Sequence, residues 1–398
     1  MARWAAVGSV QITDEALAPA EGRSRPVAHF TARRGWVNDP YGVQWDGTRY
    51  HMWYQTVPEA TDWSPACAWG HAVSADLVGW EERGLALVPQ PHEAGCWSGC
   101  LVSDTMGARR AFYTRVQLDD LEAGSIAVAR GDESGAMTSG VDDVVVPGPP
   151  DDIPITAFRD PYVWRERDGW TMIVGAGTAD GDGAVLQYRS TDLDRWRYTG
   201  VLCRGRVATA DDVSWQVWEC PQLIDIDGVW LLVVSVQCDG RAGQVAAATG
   251  GYDGARFVPR RWQRLAFGTA PYATSVFRDR DGRPCMISWL QEDLGPVSAA
   301  RGWAGAQSLV SELAIDNTGR VIAAPHPNLT TSTLLANRTP PAGPCVHDLR
   351  SSASGLATHL TVSTDDAPVI EVRQGQRRVG RVTRSRSHPE LQIERLGR

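Results

Sequence analysis

Apolar residues in this chain do not recur at helical spacing; they come in short runs separated by tight turns. Five segments repeat that pattern: "YGVQWDGTRYHMWYQ", "CLVSDTMGARRAFYTRV", "YVWRERDGWTMIVGA", "QLIDIDGVWLLVVSV" and "VFRDRDGRPCMISWL". Four carry Asp-Gly at the turn, at Asp46-Gly47, Asp168-Gly169, Asp227-Gly228 and Asp281-Gly282, and Met106-Gly107 is a weaker fifth. Asp-Gly between alternating apolar residues predicts a β-hairpin, because glycine accepts the positive φ such turns require. The turn positions 46, 106, 168, 227 and 281 differ by 60, 62, 59 and 54 residues. A second echo agrees, since "SADLVGW" (74–80) and "STDLDRW" (190–196) share Ser-x-Asp-Leu-x-x-Trp at a separation of 116. A repeat of about 58 residues holds one four-stranded antiparallel sheet, and five of them predict an all-β protein, a five-bladed β-propeller. A β-sandwich is the other candidate, but it does not require one unit repeated five times.

Chemistry recurs at one place in this repeat. Asp39 precedes its turn residue Asp46 by 7, Asp160 precedes Asp168 by 8, Glu219 precedes Asp227 by 8, and Ser98 precedes Met106 by 8. Proline follows each carboxylate, directly after Asp39 and Asp160 and after Cys220 for Glu219. The spacing predicts that all three acids share one phase and open the innermost strand of their blades, at one mouth of the central channel. Acids gathered in a cleft repel one another, so one of them, Glu219, is expected to hold a proton. A carboxylate nucleophile, a proton donor and a shaped pocket are what glycoside hydrolysis needs.

Composition narrows the partners. The chain has 398 residues, 43% apolar and 22% charged, typical of a globular protein with ample length for a core. Its 17 Trp against 6 Phe supply indole rings that line cores and stack on sugars. All 39 basic residues are Arg, and the net charge of −8 argues against nucleic acid or an anionic membrane as partner of the main body. No run reaches the roughly 18 apolar residues of a membrane span, and the N-terminus has no convincing signal-peptide core. The eight cysteines (67, 96, 100, 203, 220, 238, 285, 345) form no CxxC pair and no metal spacing with His. Buried free thiols in a reducing cytoplasm are therefore expected, with no metal and no cofactor. The expected partner is a small saccharide, and the expected state is a monomer or weak homo-oligomer.

At these residues the chain closely resembles glycoside hydrolase family 32, the β-fructosidases that include invertases, levanases and inulinases. "WVNDP" is similar to the family's sucrose-binding box, "FRDPYVW" to its Arg-Asp-Pro motif and "WECPQL" to its Glu-Cys motif. "YHMWYQTVP", "WGHAVSADLVGW", "CWSGCLVSD", "APYATSVF", "CMISWLQ" and "GWAGAQSLVSEL" follow in family order between about His29 and Pro325. The resemblance implies a five-bladed propeller and a retaining double displacement without cofactor or metal. It implies Asp39 as nucleophile, Glu219 as general acid/base and Asp160 as the transition-state stabiliser that holds fructose hydroxyls. It further implies that Arg159 lies beside Glu219 and Asp160, and that Asn38, Gln55, Trp63, Trp97, Ser98, Tyr272 and Trp289 shape the fructosyl pocket.

Departures from the family pattern fall on the pocket rim. Tyr41 stands where Asn usually follows the sucrose-box proline, Ala270 where Asp usually precedes "PYA", and the Trp63–Trp69 spacing is one residue longer than usual. The chain divides into an N-terminal extension (1–28), the propeller (29–330) and a C-terminal segment (331–398) shorter than the family's β-sandwich, expected to be a truncated sandwich remnant or partly disordered. Residues 371–398 hold eight Arg and three Glu; an RNA-binding patch is the minor alternative for them. The reading is a β-fructofuranosidase acting on sucrose, fructo-oligosaccharides or fructans. The alternatives are a fructosyltransferase on the same scaffold, a non-catalytic sugar-binding propeller, and an arabinan-type hydrolase, which the "WVNDP" and "WECP" boxes oppose.

Overall fold

A computed structural model describes residues 26, 29–118, 120–131, 136–207, 216–266, 271–291 and 302–331, together with four strands between 357 and 395. Its five N-terminal antiparallel units, called sheets 1–5, follow the predicted repeat, and a parallel strand pairing joins sheets 2 and 3 into one nine-stranded sheet. Sheet 1 contains β1 (Gly35–Trp45), β2 (Tyr50–Val57), β3 (Ala68–Ser74) and β4 (Trp80–Leu87). Sheet 2 contains β5 (Gly95–Ser103), β6 (Arg109–Gln117) and β7 (Asp120–Gly131), with the short β8 (Met137–Thr138) and β9 (Val144–Val146) both paired to β7. Sheet 3 is β10 (Ile155–Glu166), β11 (Gly169–Thr178), β12 (Gly183–Ser190) and β13 (Arg197–Gly205). Sheet 4 is β14 (Gln216–Ile226), β15 (Val229–Cys238), β16 (Arg241–Tyr252) and β17 (Phe257–Arg264). Sheet 5 is built from β18 (Pro271–Arg278) and β19 (Pro284–Leu290), then β21 (Ala306–Gln307), β22 (Ser311–Ile315) and β23 (Val321–Pro325). Between β19 and β21, β20 (Trp303–Ala304) leaves sheet 5 and pairs in parallel with β1. After β23 comes a single helical turn, α1 (Pro327–Thr331). The C-terminal strands β24 (Ala357–Leu360), β25 (Val369–Gln374), β26 (Arg377–Ser385) and β27 (His388–Arg395) form a separate antiparallel sheet.

Each of the five expected turns closes the first hairpin of its sheet. At Asp227-Gly228 both residues have positive φ (52° and 84°), the mirror-image turn whose twist matches the strands it joins. The Ser-x-Asp-Leu echo is a structural one. In both copies the serine hydroxyl accepts from the leucine N–H three residues on (Ser74–Leu77 and Ser190–Leu193), and each leucine is left-handed, at φ 66° and 69°. The two copies join third to fourth strands in sheets 1 and 3.

Apolar side chains fill the space between successive sheets. Phe112, Phe158, Trp170 and Met172 pack between sheets 2 and 3; Ile173, Val185, Trp218 and Val234 between 3 and 4; Leu231, Val245, Met286 and Leu313 between 4 and 5. Phe30, Val37, Tyr50, Phe277 and Ile287 pack sheet 5 against sheet 1, and Trp53, Trp69 and Tyr113 lie between sheets 1 and 2. The first strands touch in the same order: β1 contacts β5 and β18, β10 contacts β5 and β14, and β14 contacts β18. Most of the tryptophan surplus therefore serves these layers, with Trp53, Trp69, Trp218 and Trp303 fully buried.

Candidate active site

Every first strand slips out of register with its neighbour at the same level. The shift lies between Val37 and Pro40 in β1, Trp97 and Gly99 in β5, Arg159 and Tyr162 in β10, Glu219 and Gln222 in β14, and Tyr272 and Ser275 in β18. A β-bulge of this kind inserts a residue without a ladder partner and re-aims the side chains around it. Proline suits such a position because it has no N–H to lose from the ladder, which explains Pro161 and Pro221. Asp160, Cys220 and Ala273, at the first bulged position of their strands, have φ of 65°, 47° and 47°, a left-handed conformation that costs a side-chain-bearing residue about 1–2 kcal/mol.

The bulges correct the expectation of one shared phase. Asp160 occupies the first bulged position, Asp39 the second, and Glu219 the last paired position before its bulge, while Cys220 holds the place equivalent to Asp160. The acids meet because a bulge lets neighbouring positions aim at one centre, where a regular strand would send them to opposite faces.

Side-chain contacts place the three acids together. Asp39 Oδ2 accepts from the Ser98 hydroxyl at 2.6 Å, and its Oδ1 accepts from Asn38 Nδ2 at 3.0 Å. Asn38 Nδ2 also reaches Gln55 Oε1 at 2.7 Å, and Trp36 Nε1 donates to Asn38 Oδ1 at 3.1 Å. Asp160 Oδ2 accepts from the Cys220 backbone N–H at 2.9 Å. The Cys220 thiol lies between the two aspartates, 3.5 Å from Asp160 Oδ2 and 3.6 Å from Asp39 Oδ2. Glu219 Oε1 accepts from Arg159 Nε at 2.9 Å and from Gln237 Nε2 at 3.2 Å, and the Tyr272 hydroxyl donates to Oε2.

Burial sets the electrostatics. Desolvation, reinforced by the Glu219 charge, pushes Asp39 up to about 6 against the hydrogen bonds from Ser98 and Asn38. Asp160 is raised as well, first by burial and then by Glu219, with Arg159 opposing. Burial disfavours the Arg159 cation, but Glu219, Asp160 and Glu122 outweigh it and hold the guanidinium above its ordinary value. Burial thus raises both aspartates, and Arg159 pairs with Glu219.

The pocket candidates divide into two groups. Asn38, Gln55, Ser98, Arg159 and Tyr272 join the carboxylate network directly. Trp97 donates its indole N–H to Pro65 O at 3.0 Å and meets Trp63 edge-on, with ring centroids 5.6 Å apart. Trp63 is 45% exposed, and no hydrogen bond joins it to the acids among the described residues. Trp289 is buried against Trp36 and Tyr272, and its indole N–H makes no hydrogen bond among the described residues. Ala270 lies outside the described residues.

One metal-like cluster exists among the described residues: buried Asp279, Cys285 and His326. His326 Nδ1 accepts from the Asn328 N–H at 3.2 Å, so Nε2 carries the proton shared with Asp279 at 3.1 Å. With that tautomer fixed and Arg283 on the same carboxylate, the cluster is a clamp that ties α1 to sheet 5.

Residues 29–325 match the description "Glycosyl hydrolases family 32 N-terminal domain". The chain belongs to glycosyl hydrolase family 32. This family 32 chain is 33% identical over 319 residues to a sucrose-6-phosphate hydrolase of Escherichia coli, 75% of this chain and 64% of that one. It is 34% identical over 318 residues to a sucrose-6-phosphate hydrolase of Zymomonas mobilis, 73% of this chain and 60% of that one. The chain therefore spans about three-fifths of the length of these curated relatives. Among solved structures it is similar to fructan 1-exohydrolase IIa of Cichorium intybus, with TM-score 0.67 and 25% identity over 76% of this chain and 61% of that one. Its fold is also similar to a mutant Bombyx mori GH32 beta-fructofuranosidase in complex with sucrose, with TM-score 0.70 and 23% identity over 94% and 89% of the two chains.

Several groups in this family 32 site had no assigned part in the sequence reading. Cys220 belongs to the Glu-Cys motif, but only the fold puts its thiol against both aspartates. Thr114 accepts from the Asp160 N–H at 2.8 Å and donates to Ser98 O at 3.1 Å, linking sheets 2 and 3 under the acids. Gln237 reaches Glu219 diagonally, because Glu219 pairs with Ser235 two residues before it. Glu122 joins through Arg159, whose Nη1 donates to Glu122 Oε2 at 2.9 Å. Thr114, Gln237 and Glu122 come from second and third strands, where no motif marks them.

Proposed function

We propose that this family 32 protein is a retaining β-fructofuranosidase that releases fructose from β-D-fructofuranosides such as sucrose, fructo-oligosaccharides or fructans, on a five-bladed β-propeller. The observation that carries the proposal is the meeting of Asp39, Asp160 and Glu219 at the bulges of three different first strands. The apolar layer between sheets 5 and 1 and the parallel β1–β20 pairing support the closed propeller. The names of the similar proteins support a fructoside as substrate.

In this mechanism the ionised Asp39 attacks the anomeric carbon of the fructosyl unit while Glu219 gives a proton to the departing glycosidic oxygen. Water then cleaves the fructosyl-enzyme with Glu219 acting as base. Asn38 and Ser98 hold the Asp39 carboxylate in place for attack. Asp160, fixed by the Cys220 and Thr114 contacts, takes fructose hydroxyls.

The test is a product assay on sucrose, 1-kestose, inulin and levan, with free fructose separated from transfer products. Free fructose from at least one of them is expected, with Glu219→Gln losing most on poor leaving groups and less on activated fructosides. Absence of turnover on all four would overturn the proposal, and a predominance of transfer products would reassign the second step to a sugar acceptor.

A further inference from the structure

Glu122 stands at the seam between sheets 2 and 3, beside the point where β7 and β10 run parallel (Ala123 opposite Phe158). Its side chain is 58% exposed, yet it holds one of the most buried cations of the molecule: Arg159 is 4% exposed. The two edges of that guanidinium serve different carboxylates. Nε donates inward to Glu219, and Nη1 donates outward to Glu122 Oε2 at 2.9 Å and to the Glu122 carbonyl at 3.4 Å. A guanidinium has a rigid planar fork, so fixing one edge fixes the other. Fructoside cleavage as derived above gives Glu122 no step of its own.

We propose that Glu122 is a positioning residue that orients Arg159 across Glu219 and whose negative charge tempers the field Arg159 exerts on the catalytic carboxylates, setting the pH window of the reaction. The inference rests on the reading of Glu219 as the acid/base. The charged and titratable groups facing the Arg159–Glu219 pair are Asp39 from β1, Asp160 from β10, Cys220 from β14 and Tyr272 from β18, with Glu122 itself from β7. Of the four carboxylates in this set, only Glu122 is at the surface, and it can be neutralised without touching the reacting centre. Without its charge, Arg159 is less compensated and every neighbouring carboxylate loses its proton at lower pH. For charges several ångströms apart in a partly hydrated site, the shift is about 0.3–1 pH unit.

The experiment uses the full chain with Glu122→Gln and Glu122→Ala, measuring kcat/KM against pH on a fructoside that the wild type hydrolyses. Both limbs are expected to move to lower pH in both variants. The fall in kcat is expected to be smaller for Glu122→Gln, whose amide oxygen still accepts from Arg159 Nη1. Limbs that stay in place, or move upward, overturn the proposal, because a purely structural role would lower stability or kcat without moving them. Carbon-13 NMR titration of the site carboxyls reads the same downward shift without any turnover. If the wild type hydrolyses no fructoside, the proposed function fails, and this titration still decides the role of Glu122.

Discussion

Asp39 has been placed where its charge is costly, and two measurements follow from that. Its value in the folded chain, about 6, lies above the ordinary 3.8. The protonated form therefore favours folding below about pH 4, and that contribution is lost as the pH rises through about 6. Asp39→Asn removes the ionisation. Its turnover should fall by about a thousandfold or more, with retention within tenfold of wild type overturning the nucleophile assignment. Its melting temperature should exceed that of the wild type at pH 8, by the equivalent of about 2–3 kcal/mol, and the difference should vanish at pH 4. In the wild type, attack needs the ionised carboxylate, so kcat/KM should decline below about pH 6. An acid limb below pH 4.5 would show that the burial of Asp39 does not govern the reaction.

At the scale of the element, the bulge is the device that converts a sheet into a site. It needs a firm backing, and Gly175 supplies one. A Cβ on this β11 residue would sit 2.2 Å from the Trp218 carbonyl of β14 and 3.2 Å from the Arg159 carbonyl. Both neighbours are backbone, so nothing flexible can yield, and glycine is required by close approach. Gly175→Ala should push β14 away and move Glu219 off Arg159 and Tyr272. A loss of at least tenfold in kcat is expected, with about 1–3 kcal/mol of stability, checked by kinetics and urea unfolding. Full activity in this variant would mean that the position of Glu219 is set by its hydrogen bonds alone.

Across the whole molecule, Asp39 and Glu219 are 180 residues apart and belong to the first and fourth sheets. They come together because the first strands of all five sheets contact one another in order, with sheet 5 packed back on sheet 1. A retaining enzyme holds its two carboxyl groups about 5–5.5 Å apart, an inverting one about 6.5–9.5 Å. Cys220, adjacent to Glu219 in the chain, already has its thiol 3.6 Å from Asp39. Under the proposed double displacement, the fructose first released from a β-fructofuranoside is expected to be the β-furanose, read by NMR before the anomers equilibrate. Initial release of the α-anomer would overturn the double displacement.

The sequence by itself determined the five hairpin turns and where the three acids stand relative to them. Those are local matters: Asp-Gly favours one turn geometry, alternating apolar residues favour strands, and Asp39, Asp160 and Glu219 stand a near-constant distance before their turns. The motifs around these three residues also sufficed to mark the family. What only the tertiary structure decided is how the repeats act on one another. Register slips at Asp39, Asp160 and Glu219 are offset by single residues, which spacing from a turn cannot resolve, since a bulge depends on the partner strand. The electrostatic outcome likewise depends on neighbours far away in sequence. Arg159 reached Glu219 across 60 residues and Ser98 reached Asp39 across 59, and burial of the aspartates depends on packing between sheets. A repeat can place like groups at like positions, but which of them gains a cation, a thiol or a hydroxyl is fixed only when the sheets pack together.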